Sequence, residues 1–207
     1  MKIIDVPLRA KIFCHGDLIG TSRAVILDPL TYKVTHLVVS PDKDSNLGKR
    51  LIPISWIGQC STSDIELSCS LDQFDLADRF TETKSSSEMQ HLLGYSSIGY
   101  PAWPGVPLLN IPLVLNKRIP KGEVAVHHET EVVARDGSVG NLDELTVSIP
   151  TYHITQLILR NGLLWGRKEI AVPVEDIDQF ADDGTVHLKI DKDEVSQFPA
   201  VEHHRLI

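Results

Sequence analysis

The stretch PLTYKVTHLVVS at residues 29–40 returns as IPTYHITQLILR at residues 149–160, displaced by 120 positions with no gap between the two alignments. The same offset extends outward to residues 14–57 and 134–177. Identities fall at Gly20/Gly140, Thr31/Thr151, Tyr32/Tyr152, Thr35/Thr155, Leu37/Leu157, Pro53/Pro173 and Ile57/Ile177. Conservative pairs fill the spaces, among them Ile19/Val139, Val34/Ile154, Val38/Ile158, Ile52/Val172 and Ile54/Val174. Chance does not keep so many apolar positions at one offset, so the chain carries an internal duplication.

Each repeat reads as antiparallel β structure. Ile19, Val25 and Leu27 are separated by even steps, as are Val139, Leu145 and Val147, the period-two signature of a strand with one buried face. Proline breaks the pattern at Asp28-Pro29 and Ile149-Pro150, and the β-branched runs Val34–Val39 and Ile154–Leu159 follow, giving a hairpin. Ile52-Pro53-Ile54 and Val172-Pro173-Val174 form a third strand at an edge or bulge, and further strands cover Ile65–Cys69 and Val186–Ile190. Ser70 is placed to cap a helix over Leu71–Asp78, and Asp191 one over Lys192–Gln197. Short strands in this number bury a core by curling into a small barrel. The expected architecture is all-β: two small antiparallel barrels in tandem, each ending in a short helix. The first occupies 1–80 and the second 123–200, with a linker rich in Ser, Gly, Pro and aromatics at 81–122 and a tail at 201–207.

The chain has 207 residues, with 20 Lys+Arg against 28 Asp+Glu and a formal charge of −8. Residues 124–207 hold seven basic and fifteen acidic residues, so the whole deficit lies in the last third. A protein built to neutralise phosphates shows the opposite sign, which argues against direct nucleic-acid binding. No apolar run reaches the length of a membrane helix, and Asp5 and Arg9 interrupt the N-terminus too early for a signal sequence. Peripheral association with a membrane stays open. Three cysteines (Cys14, Cys60, Cys69) without a C-x-x-C pair point to a reduced, cytoplasmic setting, with Cys60–Cys69 the one disulfide worth considering.

The residues that repeat also carry a resemblance to the PRC-barrel family. A Gly before a long strand, a Pro-Thr turn, a Val-Thr-His-Leu-Val-Val strand and an apolar-Pro-apolar strand followed by Ile are matched by Gly20, Pro29-Leu30-Thr31, Val34–Val39, Ile52-Pro53-Ile54 and Ile57. The pattern recurs at Gly140, Pro150-Thr151, Ile154–Leu159, Val172-Pro173-Val174 and Ile177, and Leu164–Lys168 is similar to tandem bacterial members. The family has Gly after the turn Thr where Tyr32 and Tyr152 stand here, which predicts a turn of another type or one shifted by a residue. The resemblance implies a barrel without catalytic function. Relatives serve in a photosynthetic reaction-centre subunit and in a ribosome maturation factor, so fold alone assigns no role.

Candidate chemistry is sparse. His127-His128 and His203-His204 place neighbouring side chains on opposite strand faces, so neither pair chelates a metal alone. Asp42–Asn46 opens like a calcium loop, but Leu47 and Pro53 stand where a sharp turn and a bidentate Glu are required. Asp176, Asp178, Asp182 and Asp183 fit no loop template. Phosphate-cradling loops and nucleophile elbows are absent from the sequence. Arg160, Arg167 and Lys168 flank a hairpin tip holding Trp165, which reads as a charged tip with its aromatic packed on the barrel rim.

Contact surfaces are better marked. Opposite Ile19, Val25 and Leu27 the first repeat carries Ser22, Ala24 and Ile26, where the second has Leu142, Glu144 and Thr146. The more apolar face suits the other barrel or a partner. Tyr95, Tyr100 and Trp103 lie among prolines in a segment of the kind that either drapes over its own domain, the favoured reading, or is offered to another protein. The expectation is a non-catalytic adaptor without cofactor or metal, contacting a protein partner through Ile26, Tyr100, Trp103 and Trp165. The alternatives are a ribosome- or RNA-associated factor, a peripheral subunit of a membrane complex, and an enzyme or small-ligand carrier that only a cavity would reveal.

Overall fold

A computed structural model describes residues 2–42, 48–80, 120, 122–160, 169–181 and 184–201. The chain is all-β apart from two short α-helices and two 3-10 turns among these residues. In the first repeat the strands are β1 (Lys2–Pro7), β2 (Lys11–Cys14), β3 (Asp17–Asp28), β4 (Lys33–Pro41), β5 (Lys49–Pro53), β6 (Ile57–Cys60), β7 (Asp64–Leu67) and, after helix α1 (Leu71–Leu76), β8 (Arg79–Phe80). The second repeats them as β9 (Val124–His127), β10 (Glu131–Ala134), β11 (Gly137–Ile149), β12 (Ile154–Arg160), β13 (Glu169–Pro173), β14 (Ile177–Phe180) and β15 (Val186–Leu188), followed by helix α2 (Lys192–Gln197). Both helices start as expected. Ser70 accepts from the Gln73 N–H while Gln73 Oε1 accepts from the Ser70 N–H, and Glu194 Oε2 accepts from the Asp191 N–H at 2.9 Å.

One sheet has the order β6-β7-β2-β3-β4-β5-β8 and the other β13-β12-β11-β10-β15-β14, and neither order returns to its first strand. The strand that opens each repeat is not in its own sheet. β1 runs antiparallel to the long strand β11 of the second repeat, with Ile4 opposite Val147 and Val6 opposite Leu145. β9 runs antiparallel to the long strand β3 of the first, with Val124 opposite Leu27 and Val126 opposite Val25. These are the same pairings, displaced by 120 positions in each partner. The repeats therefore exchange their first strands about a pseudo-twofold axis. On that axis the Val34 N–H donates to the Tyr152 carbonyl and the Ile154 N–H to the Tyr32 carbonyl, both at 2.9 Å.

The exchange makes one hydrophobic core out of two. Ile4, Val6 and Leu8 join the same buried cluster as Val124 and Val126 and the inward residues of β3, β4, β11 and β12. Residues 1–80 and 119–207 accordingly pack as one compact unit. Each fully buried aliphatic side chain contributes about 1.5–3 kcal/mol. Ile4, Val6 and Leu8 together are thus comparable with the whole stability of a small domain, about 5–15 kcal/mol.

The residues the repeats share hold shared geometry. Thr31 Oγ1 donates to Asp28 Oδ2 at 2.7 Å, and Thr151 meets Ser148 at 2.8 Å, closing the two hairpin turns alike. Thr35 and Thr155 are the extra residues of matching bulges on β4 and β12. Their hydroxyls donate to the carbonyls of Ile26 (3.2 Å) and Thr146 (3.1 Å), which the bulges displace. At Gly20 a Cβ would collide with the Ser40 carbonyl.

Two expectations are corrected. Tyr32 and Tyr152 keep the left-handed conformation, with φ of 56° and 61°, so the turn is neither of another type nor shifted. A side chain there costs about 1–2 kcal/mol. At Tyr32 the hydroxyl donates to the Asp178 carbonyl, the ring packs on Phe180 with centroids 5.6 Å apart, and the carbonyl is engaged on the axis. The second correction concerns the outer face of the long strands. Arg23 and Asp143 are each bulged out of register, which reverses the alternation on their N-terminal side. Leu142 consequently lies in the main core, and Ser22 is buried, its hydroxyl accepting from the Ala10 N–H and donating to the Pro7 carbonyl.

Separate chains covering 1–80 and 120–207 should each lack a cooperative unfolding transition, because each leaves its long strand without the exchanged partner. Mixed, they should restore the β-sheet circular dichroism spectrum as a 1:1 complex; cooperative folding of either half alone would contradict the shared core.

Candidate functional site

Where the pseudo-symmetry is strict in the core, it fails on the outer faces of the two sheets. On the first sheet Ala24, Ile26, Val38, Leu51 and Phe80 form a second buried apolar cluster, with Ala125 of the exchanged strand packed against it. The equivalent positions on the second sheet include Glu144 for Ala24, Thr146 for Ile26 and Asp5 for Ala125. Here a cleft of about 490 Å³ opens. Ile3, Ile158, Pro173 and Val201 supply its apolar lining, and Asp5, Glu144 and Glu175 its carboxylates. Glu144 is buried to 5% exposure, and Thr146 Oγ1 donates to Asp5 Oδ1 at 3.0 Å, fixing that carboxylate over the sheet. Ile3 is more than half exposed at the rim. Among the described residues that line it there is no Lys, Arg or His.

A charged network adjoins the cleft at Glu144, which also lines a smaller cavity of about 130 Å³. Asp143, the bulged residue of β11, accepts from Arg160 Nη2 at 2.7 Å and pairs with His128 Nε2 at 2.8 Å. Arg160 lies 3.8 Å from Glu169. A His–Asp pair is one part of a proton-transfer device; among the described residues no hydroxyl or thiol is hydrogen-bonded to His128 Nδ1, which is buried. The pair orients the imidazole without forming a triad.

Of the residues singled out from sequence, Ile26 is placed and is corrected. It is fully buried inside the apolar cluster of the first sheet and presents no surface to a partner. Tyr100, Trp103 and Trp165 lie outside the described residues, as do Arg167, Lys168, His203, His204 and most of the 81–122 linker. Residues 43–47 of the calcium-like loop, Asp182 and Asp183 lie outside them too. Among the described residues no three His, Cys, Asp or Glu side chains are grouped to hold a metal ion. None of their helices is long and apolar enough to cross a membrane. Asp5, Glu144 and Glu175 were not singled out. Their signal was the change from Ala24 to Glu144 inside an otherwise matched strand pair.

The cysteines are free, so no Cys60–Cys69 disulfide forms. Cys14 Sγ instead donates to the Cys69 carbonyl at 2.6 Å. Compared with known proteins, the chain matches no family model and no curated protein.

Burial pushes the Cys60 thiol up to about 12, and the nearby carboxylates of Asp5 and Glu144 add to the shift. Cys69 is pushed to about 11, again chiefly by burial. The unfolded thiols lose their protons from about pH 9 while the folded ones keep them, so stability falls as pH rises from 9 towards 12. Urea midpoints measured between pH 8 and pH 11 should show this fall, and Cys60→Ala should flatten it.

Proposed function

We propose that the chain is a non-catalytic adaptor of the PRC-barrel type, its two barrels fused by strand exchange, and that it receives an extended, basic segment of a partner protein in the cleft of the second sheet. The observation that carries this reading is the composition of that cleft. An apolar lining beside three carboxylates, with no cation among the described lining residues, complements a peptide alternating Lys or Arg with aliphatic side chains. Divergence supports the same reading. The duplicated position on the first sheet is filled with apolar side chains and buried, whereas a carboxylate buried to 5% exposure is kept on the second.

The excess of acidic residues in 124–207 extends this field beyond the cleft and favours encounter with basic partners over acidic ones. Cytoplasmic location fits three free thiols.

Fluorescence anisotropy with extended peptides of equal length should rank basic-aliphatic above neutral and neutral above acidic. Glu175→Lys at the cleft should weaken the basic peptide roughly two- to fivefold, the scale of a partly exposed ion pair. Asp5→Asn, which keeps an oxygen for Thr146 Oγ1, should weaken it similarly while leaving thermal stability intact. Equal binding of acidic and basic peptides would overturn the proposal.

A further inference from the structure

The bulge that carries Asp143 in the second repeat carries Arg23 in the first, and Glu169 has Lys49 as its counterpart. The cavity around Asp143 and Glu169 therefore has a pseudo-symmetric twin of opposite charge. The twin, about 230 Å³ in volume, is lined by Arg9, Arg23, Lys49, His127 and His128, with Glu129 as its carboxylate. Arg9 and His128 belong to both cavities.

We propose that this second cavity binds a small phosphate-bearing ligand. Among the described lining residues three permanent cations, Arg9, Arg23 and Lys49, stand with one carboxylate, Glu129, in a chain whose net charge is −8. Two of the cations are guanidinium groups, whose planar forks match the oxygens of a phosphate. The bulge sets Arg23 out of the regular ladder, and Lys49 Nζ is held 5.7 Å from the centre of the Phe80 ring. His128 adds a group in want of a partner. Its Nε2 is taken by Asp143 at 2.8 Å, which leaves Nδ1 buried without a hydrogen bond.

Size and field both select a small ligand over a polyanion. Local cations dominate within a Debye length of about 8 Å, whereas a nucleic acid reaching past it meets the acidic remainder of the molecule. The site is separate from the acidic cleft, so the two proposals stand independently.

The test titrates the full chain with inorganic phosphate, with glycerol phosphate and with a single-stranded RNA oligomer, followed by amide chemical shifts. Saturable shifts around Arg9, Arg23, Lys49 and His128 are expected with phosphate or with the ester. Comparable affinities identify free phosphate as sufficient, and a much tighter ester identifies an organic phosphate; both support the proposal. Arg23→Asp and Lys49→Glu install the residues that Asp143 and Glu169 already place at the equivalent positions, so the thermal midpoint should hold. Each should weaken binding at least roughly tenfold, the loss of one charge-assisted interaction. If Arg23→Asp unfolds the chain, Arg23→Gln with its intact fold gives the same reading. Unsaturable shifts, binding indifferent to these substitutions, or RNA binding that phosphate does not displace would overturn the proposal.

Discussion

The reciprocal pairing of β1 with β11 and of β9 with β3 is the constraint on which the rest of the molecule depends. A long strand such as β3 meets its own repeat on one edge through β4, but its C-terminal half needs a neighbour on the other. Its own first strand cannot serve, because β1 is already on β11. Each half of the chain thus satisfies the backbone of the other, and the apolar residues of the traded strands fall into one core. The two axial hydrogen bonds between Val34 and Tyr152 and between Ile154 and Tyr32 fix the rotation between the halves. Tyr32 and Tyr152 keep a strained φ because their carbonyls are the acceptors in those two bonds.

The exchange explains why some residues of the duplication are still identical while others have parted. Thr35 and Thr155 close equivalent bulges, Leu37 and Leu157 are both fully buried in the core, and Pro53 and Pro173 both end a strand before a 3-10 turn. A change at any of these would be felt by both halves at once, since the core is common. Arg23 and Asp143 stand where bulges set side chains outside the ladder, and no core packing depends on them. Charge differs between the repeats at these positions while the bulge is kept at both.

This division also sets what could be read from the sequence. The 120-residue repeat, the β hairpins, the terminal helices and their caps were all visible, because periodicity and capping are local properties. Strand exchange was not, since Ile4 and Val6 show the same alternation whichever long strand they join. Nor was the reversed alternation before Arg23: a bulge inserts one residue, and nothing in Ser22-Arg23-Ala24 marks where it falls. The matching bulge at Asp143 moved Leu142 from the expected outer face into the core. Ile26 read as a contact residue because an apolar side chain opposite a core face suggests an open surface, whereas Ala24, Val38, Leu51 and Phe80 bury it. The candidate cleft was written in the sequence only as a difference between repeats, Ala24 against Glu144.

Differences of this kind are the more informative guide to function in a duplicated chain. Identity between repeats is enforced wherever the common core or the axis is touched, so it reports on folding. Divergence at a position with equivalent backbone removes fold as a variable, because the same strand, bulge and neighbour are present twice. The pairs Ala24/Glu144, Arg23/Asp143 and Lys49/Glu169 are then controlled comparisons made within one molecule. All three bear on one cleft and two cavities, and in each the second repeat has gained acid relative to the first. Arg9 and His128 line both of the oppositely charged cavities, so the readings proposed for the acidic cleft and for the cationic cavity both rest on positions where the repeats part while the backbone does not.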